Sequence, residues 1–182
     1  MPGVSVSLET YQRIMEAARE VFARYGFEAP LQLVAKKAGV AKSLVVWYFG
    51  SKWDLVRKVA LESLPADVAQ ACTSRGLRGE ELVSCLIDGF MRKYSDEVTR
   101  RLYIEAMALS NRDEEVGREI SRFCESVVGE LASAIYGSDT PENRVRVRII
   151  FGALMCYALN KPRFATPELY ADVLKRVAKC PI

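Results

Sequence analysis

The 182-residue chain has no histidine. Without imidazole the usual zinc-finger and catalytic-zinc ligand sets cannot form, nor can a Ser–His or Cys–His nucleophile pair. A phosphate-cradling loop of the GxxxxGK(S/T) type is missing as well. The adjacent carboxylates Glu80-Glu81 and Glu114-Glu115 stand at expected helix starts, where the helix dipole favours solvated negative charge. They make no case for an acid/base pair. No enzyme, metal or cofactor is expected.

Other absences narrow the class further. No run approaches the ~18 to 20 uncharged apolar residues that span a bilayer. The N-terminal MPGVSVSLET lacks the basic start and apolar core of a secretory leader. A soluble cytoplasmic protein that meets no membrane is the expectation. Alternating β-branched patterns, internal repeats and low-complexity linkers are not found. Cys72, Cys85, Cys124, Cys156 and Cys180 are scattered, odd in number and never in a CxxC pair. Buried free thiols in a reducing compartment are expected, with a thiol redox sensor as the alternative.

What is present is helix. Ser7 reads as an N-cap, followed by the apolar stripe Ile14, Ala17, Ala18, Val21, Phe22 and Tyr25, closed by Gly26. From Ser51, with Asp54 completing a capping box, a helix runs to residue 72 and is interrupted at Pro65. Helices over Gly79–Tyr94, Leu102–Leu109, Val116–Ile135 and Thr140–Asn160 follow, and Pro167 opens the last. The count is nine and the class all-α. Positive charge is unevenly spread: residues 1–60 hold nine Lys/Arg against five Asp/Glu, residues 61–182 seventeen against eighteen. The excess lies where a phosphate-contacting surface would need it.

The stretch Leu31–Lys52 carries the strongest signal. Val34, Ala35 and Ala38 give a short helix one apolar face, and Gly39 can enter the left-handed conformation that ends it. A second helix resumes by Lys42, with Val45 and Phe49 one turn apart and expected in the core. Lys42, Ser43, Val46, Trp47 and Tyr48 then point elsewhere. Trp47 and Tyr48 lie about 100° apart, so they cannot both share the Val45–Phe49 face. A lysine, a serine and aromatics on an outward face suit phosphates and groove edges. This is a helix-turn-helix pattern.

Ala35-x-x-Ala38-Gly39-Val40, then Lys42, Val45, Trp47-Tyr48-Phe49 and Ser51-Lys52, resembles the DNA-binding signature of the tetracycline-repressor (TetR-like) family. The chain departs from that signature at Ala29-Pro30, Ala41, Ser43 and Val46, where a threonine, a serine, a glycine and a tyrosine are usual. The resemblance implies an all-helical homodimer. Residues 1–50 would form the helix-turn-helix domain, and 51–182 the effector-binding and dimerisation domain, with 51–72 as connector. It also implies a ligand-responsive regulator, a repressor, that binds a two-fold related double-stranded operator and leaves it when a small effector binds. Tyr48 and Lys52 match positions that hold the phosphate backbone. Lys42, Ser43, Val46 and Trp47 match positions that face the major groove, and Gln32 one that reaches a base edge. Leu44 and Val46 offer only apolar contact. The alternatives are a protein-interaction module on the same fold without DNA binding, and the thiol sensor.

For the remainder, Met91, Tyr94, Tyr103, Met107, Phe123, Val127 and Met155 are candidates to line an effector cavity, although each type is also ordinary core. An apolar or amphipathic small molecule is the default ligand. Gly152, Ala153 and Cys156, with Tyr170, Val173 and Leu174 on the last helix, are the candidate dimer contacts.

Overall fold

The computed structural model describes residues 3–179, with side chains for residues 8–178. Among them are ten helices and no strand. The extra helix comes from Pro65. It removes a backbone donor and pushes Leu64 into an extended conformation (ψ 157°), so α4 (Lys52–Ser63) ends and α5 (Ala66–Thr73) begins anew.

By packing, the chain divides elsewhere than at residue 50. One compact unit runs through Leu64 and also takes Glu97–Arg112; the other comprises Pro65–Asp96 and the chain from Asp113. The first unit holds α1 (Gly3–Tyr25), α2 (Leu31–Ala38), α3 (Lys42–Phe49), α4 and α7 (Glu97–Ser110). The stripe of α1 is buried from Ile14 to Phe22, and the Phe22 ring meets Phe27 edge-on at 5.6 Å. Two expectations for α1 change. It starts at Gly3, so Ser7 lies inside it rather than at its cap: once nucleated, a helix gains a hydrogen bond with each added residue. Tyr25, at its last residue, is exposed beside the Arg24 guanidinium. The helix α7 is longer than Leu102–Leu109, because its polar first turn hides its start from hydrophobic periodicity. Its Leu102, Tyr103, Ala106 and Leu109 are buried in contact with α1 and α4. Across this unit the Arg19 guanidinium donates to the Thr99 hydroxyl at 3.0 Å.

The second unit holds α5, α6 (Gly79–Lys93), α8 (Glu114–Tyr136), α9 (Pro141–Leu159) and α10 (Pro167–Lys179). Caps fall where the sequence places small oxygen-bearing residues. Asp113 accepts from Val116 N–H at 2.9 Å, and Thr140 from Asn143 N–H at 3.2 Å ahead of Pro141. The core joins Ala69 and Cys72 of α5, Leu82 and Leu86 of α6, Val128, Leu131 and Ala132 of α8 and Val147 of α9. Here the expectation of free thiols fails for two cysteines. Cys72 and Cys85 form a disulfide, 5.9 Å between Cα atoms, that ties α5 to α6. Spacing along the chain does not show that two helices face each other. Cys124 is half-buried and Cys156 exposed, both as free thiols, and Cys180 lies outside the described residues.

Candidate nucleic-acid interface

The turn between α2 and α3 is built on backbone bonds that only a left-handed residue permits. Gly39 has φ +67°. Its N–H donates to the Lys36 carbonyl at 3.3 Å, and Val40 N–H donates to the Ala35 carbonyl at 3.0 Å. This paired closure ends α2 in one residue and turns the chain directly into α3. Val34, Ala35 and Ala38 anchor α2, while Val45, fully buried, anchors α3. At Gly39 a Cβ would meet nothing within 4 Å, so the residue serves conformation rather than close packing.

Neither reading element has a side-chain cap. Pro30 and Ala41 occupy the N-cap positions, and the first turn of α3 closes through Leu44 N–H on the Ala41 carbonyl at 3.0 Å. By contrast, Ser51 caps α4. Its hydroxyl oxygen accepts from Asp54 N–H at 3.1 Å, and its O–H donates to the Asp54 carboxylate.

Steps of 100° along α3 put Lys42, Val46, Ser43 and Trp47 within an arc of about 140°, opposite Val45. All four are exposed, Trp47 most of all at 73%. Gln32 is exposed on α2, with the apolar Leu33 beside it. Leu44 and Tyr48 are half-buried and lie outside that arc, beyond Trp47. The Tyr48 ring stands edge-on to Trp47 at 4.8 Å and to Tyr11 of α1 at 6.3 Å. Phe49 departs from expectation: it is half-buried, not core, and stacks on Tyr11 at 5.0 Å. Its partner comes from a helix 38 residues earlier, so its own heptad neighbours could not reveal it.

The contacts of two supporting residues escape sequence patterning because the partners are distant. Lys52 donates to the Glu28 carbonyl at 2.9 Å, lies 3.7 Å from the Glu28 carboxylate and sits over the Trp53 ring at 5.2 Å. Lys58 lies over the Tyr11 ring at 5.6 Å. A hydrogen bond with Tyr11 holds its ammonium above the usual lysine range, against a smaller opposing effect of burial.

The other sequence-derived candidates are split between the units. Tyr103 and Met107 sit on α7 in the first unit, Tyr103 buried and Met107 half-buried. In the second unit, Tyr94 is buried with its ring 4.3 Å from Phe90, and Met91, Phe123, Val127 and Met155 are half-buried. Val127 packs on the unit's core. A groove of about 490 Å³ in this unit has none of them in its lining and runs between α5 and α6 instead. On α9, Gly152 and Cys156 are exposed and Ala153 half-buried, its carbonyl accepting from the Tyr170 hydroxyl at 2.7 Å. Val173 is exposed on α10, whereas Leu174 turns into the unit's interior. No helix among the described residues is long and apolar enough to cross a membrane. Nor do those residues contain a group of three or more carboxylates or thiols placed to hold a metal ion.

A tight turn, a buried first helix and a solvent-facing second helix define a helix-turn-helix protein. The family model described as bacterial regulatory proteins, tetR family, matches residues 14–59, which span the supporting helix, the motif and the start of α4. The chain is 35% identical over 77 residues to the HTH-type transcriptional regulatory protein RaaS of Mycobacterium tuberculosis, 42% of this chain and 35% of that protein. To the HTH-type transcriptional regulator SrpR of Pseudomonas putida it is 44% identical over 52 residues, 28% of this chain and 24% of that one. The chain thus spans about a third of the length of the curated relatives it matches. Among solved structures, GusR of Salmonella enterica superposes with a TM-score of 0.76 at 20% identity, covering 94% of each chain. A transcriptional regulator from Rhodococcus sp. Rha1 does so with a TM-score of 0.73 at 20% identity, covering 92% of each. Residues 14–59 thus match the DNA-binding part of the tetR family of bacterial regulatory proteins, and the chain has the fold of the TetR-like regulators it superposes on.

Proposed function

We propose that the protein is a ligand-responsive transcriptional repressor that binds a two-fold related operator as a homodimer. The observation that carries this reading is the outward face of α3, where Lys42, Ser43, Val46 and Trp47 stand in solvent on a helix held by a buried opposite side. Exposed large apolar side chains of this kind mark an interface. In this reading Lys42, Ser43, Val46 and Trp47 enter the major groove and Gln32 reaches a base edge from α2. Leu44 flanks them, and Tyr48 and Lys52 hold phosphates. The protein works where the DNA is, in the cytoplasm.

A second copy of the chain is the partner. Val145, Ile149, Gly152, Cys156 and Leu159 recur at offsets of 4, 7, 11 and 14 on α9, and all are exposed. Leu169, Val173 and Val177 repeat every fourth residue on α10 and are likewise exposed. Two apolar stripes on neighbouring helices are what a homodimer interface requires. Tyr170, Ala153 and Leu174 then support those stripes from within. The reading helices of such a dimer must lie ~34 to 36 Å apart to meet successive major grooves. A small apolar or amphipathic effector bound among Met91, Tyr94, Phe123, Val127 and Met155 would favour a state in which they do not. Tyr103 and Met107 are on α7, in the first unit.

Selection of bound duplexes from random DNA tests the reading. A palindromic consensus, with affinity that falls steeply as salt rises, is the expected outcome. Failure to enrich any sequence, together with a flat salt dependence, would refute DNA binding.

A further inference from the structure

We propose that Cys72 and Cys85 form a reversible thiol–disulfide switch that controls the seating of α5 and, through it, the protein's affinity for DNA. The proposal rests on the DNA-binding reading above, because that reading puts the chain in a compartment whose thiol pool keeps ordinary disulfides reduced. Disulfides found there are mostly transient, catalytic or redox-sensing.

Three features of the pair fit a switch better than a permanent brace. The first is asymmetry. Cys72 is buried at 2% exposure, whereas Cys85 is half-buried and receives the Arg75 guanidinium, with Nη1 3.5 Å from Sγ. In the reduced state that cation favours the Cys85 thiolate, the nucleophilic form, over the sheltered Cys72 thiol. The second is access. The groove of about 490 Å³ between α5 and α6 counts both cysteines and Arg75 in its lining, so a small oxidant or thiol can reach the half-buried Cys85 from solvent.

The third is what the bond holds. The helix α5 has eight residues, too few to be stable alone, and buries only Ala69 and Cys72. Besides the disulfide, it is held by Ala69 and Cys72 in the unit's core, by the Asp67–Lys93 ion pair and by Val68 against Gly89, where a Cβ would come within 2.5 Å of Val68 Cγ1. Opening the bond removes the covalent cross-link between α5 and α6 and leaves this short helix to two small buried side chains, Val68 and one ion pair. Its N-terminus follows α4 after only Leu64 and Pro65, and α4 belongs to the unit that carries the reading helix.

The oxidant is hydrogen peroxide. The Cys85 thiolate attacks one peroxide oxygen; an S–O bond forms, the O–O bond breaks and hydroxide leaves to be protonated to water. The Cys72 sulfur then attacks the Cys85 sulfenic acid. The S–S bond forms, the S–O bond breaks, and the departing hydroxide takes the Cys72 proton as a second water. Two thiols are oxidised and one peroxide reduced. Two equivalents of a low-molecular-weight thiol reverse the change by exchange.

The experiment uses the full-length protein in glutathione buffers from fully oxidised to a cytosolic ratio, with the linked Cys72–Cys85 peptide quantified by mass spectrometry. At each point, affinity is measured for a duplex recovered by selection from random DNA. The linked peptide should fall below about one-tenth at the cytosolic ratio and return with one equivalent of hydrogen peroxide. Affinities of the two forms should differ by at least about fivefold, and Cys85→Ser should remove the difference. Arg75→Ala should slow peroxide oxidation about tenfold, with Arg75→Lys restoring most of the rate. A bond that survives the cytosolic ratio overturns the proposal, as does equal affinity of the two forms for the selected duplex. If neither form binds any duplex, the DNA-binding reading fails first and the switch falls with it, an outcome the unchanged peptide titration distinguishes. Because the titration is run on the unmutated chain, a variant that fails to fold does not blunt it.

Discussion

Arginine at Gly152 separates folding of the protomer from assembly of the dimer. A Cβ built at Gly152 meets nothing within 4 Å, and the residue is exposed in the middle of α9. A long side chain there therefore finds open space in the single chain. Glycine inside a helix costs ~1 kcal/mol relative to alanine, while arginine is among the better helix formers. The Gly152→Arg protomer should thus be as stable as the parent or more so by about 0.5–1 kcal/mol. In the proposed dimer the same side chain meets the partner's apolar stripe, and two-fold symmetry places it there twice. An unpaired buried charge costs ~3–5 kcal/mol. At ~1.4 kcal/mol per decade, the dissociation constant should rise by at least two to three orders of magnitude. Sedimentation equilibrium over a concentration series reads the assembly state, and circular dichroism on the same samples reads the fold. The expected result is a helical monomer, with Gly152→Ala still dimeric. A dimer of unchanged affinity would move the interface off this face of α9. An insoluble protein without helicity would show that the space at Gly152 is not open to a long side chain.

Other outcomes follow from the site. Phe49→Ala, because the ring is half-buried on Tyr11 rather than core, should cost about 1–2 kcal/mol in urea unfolding and not the ~3–5 of a buried phenylalanine; a cost above about 3 kcal/mol would return it to the core. Ala41→Ser gives α3 the side-chain cap it lacks and should raise stability by about 0.5–1 kcal/mol; no change in the melting midpoint would mean those N–H groups are already satisfied. Lys52→Ala should weaken binding to all duplexes alike and lower the salt slope by roughly one unit for each phosphate no longer neutralised, two per dimer. Trp47→Ala should instead change which sequences are selected, and the reverse pattern would exchange the two roles. Reducing the disulfide, which closes a loop of sequence separation 13, should lower unfolding free energy by up to ~3 kcal/mol in the loop-entropy account. Equal denaturation midpoints with and without reductant would show that the reduced chain keeps α5 in place.

The parts legible from sequence were those with local causes. Gly39 ends α2 through bonds to Ala35 and Lys36, all within five positions, so residue identity suffices to predict the turn. Pro65, Thr140 and Ser51 act the same way, through a missing donor or a nearby oxygen. What escaped was set by partners remote in the chain. Phe49 meets Tyr11, Lys52 meets Glu28, and Cys72 meets Cys85 only because α5 and α6 pack side by side. The start of α7 was hidden for a different reason: Glu97, Arg100 and Arg101 crowd its first turn, and a polar first turn carries no hydrophobic period. The stripe on α9 was visible, but which of its residues face out was not. Tyr170, Ala153 and Leu174 are held within one chain, while Val145, Ile149 and Val173 are left over.

The contact between Lys52 and Glu28 bears on how this surface meets phosphate. An ammonium has three donors, and one is used on the Glu28 carbonyl. The carboxylate, at 3.7 Å and on a mostly exposed side chain, adds little of its own in water. Its effect on DNA is larger than its effect on folding, because a phosphate approaching Lys52 also approaches that negative charge. Two consequences oppose each other. Holding the lysine in place beforehand spares the ~0.5–1.5 kcal/mol of ordering that a free side chain would incur on binding. The nearby carboxylate subtracts from the field that draws the phosphate in, and screening by salt weakens that subtraction. Pre-organisation should therefore dominate at physiological ionic strength and repulsion at low salt. The Lys52 side chain is a strut between the entry to α2 and the start of α4, and in the proposed complex it would also present charge to the DNA backbone. In the proposed complex specificity would be left to the α3 face, where Ser43 and Lys42 are the hydrogen-bonding groups and Val46 and Trp47 offer apolar surface. With so few donors and acceptors on that face, the proposal expects thymine methyls and the shape of the duplex to carry much of the sequence preference.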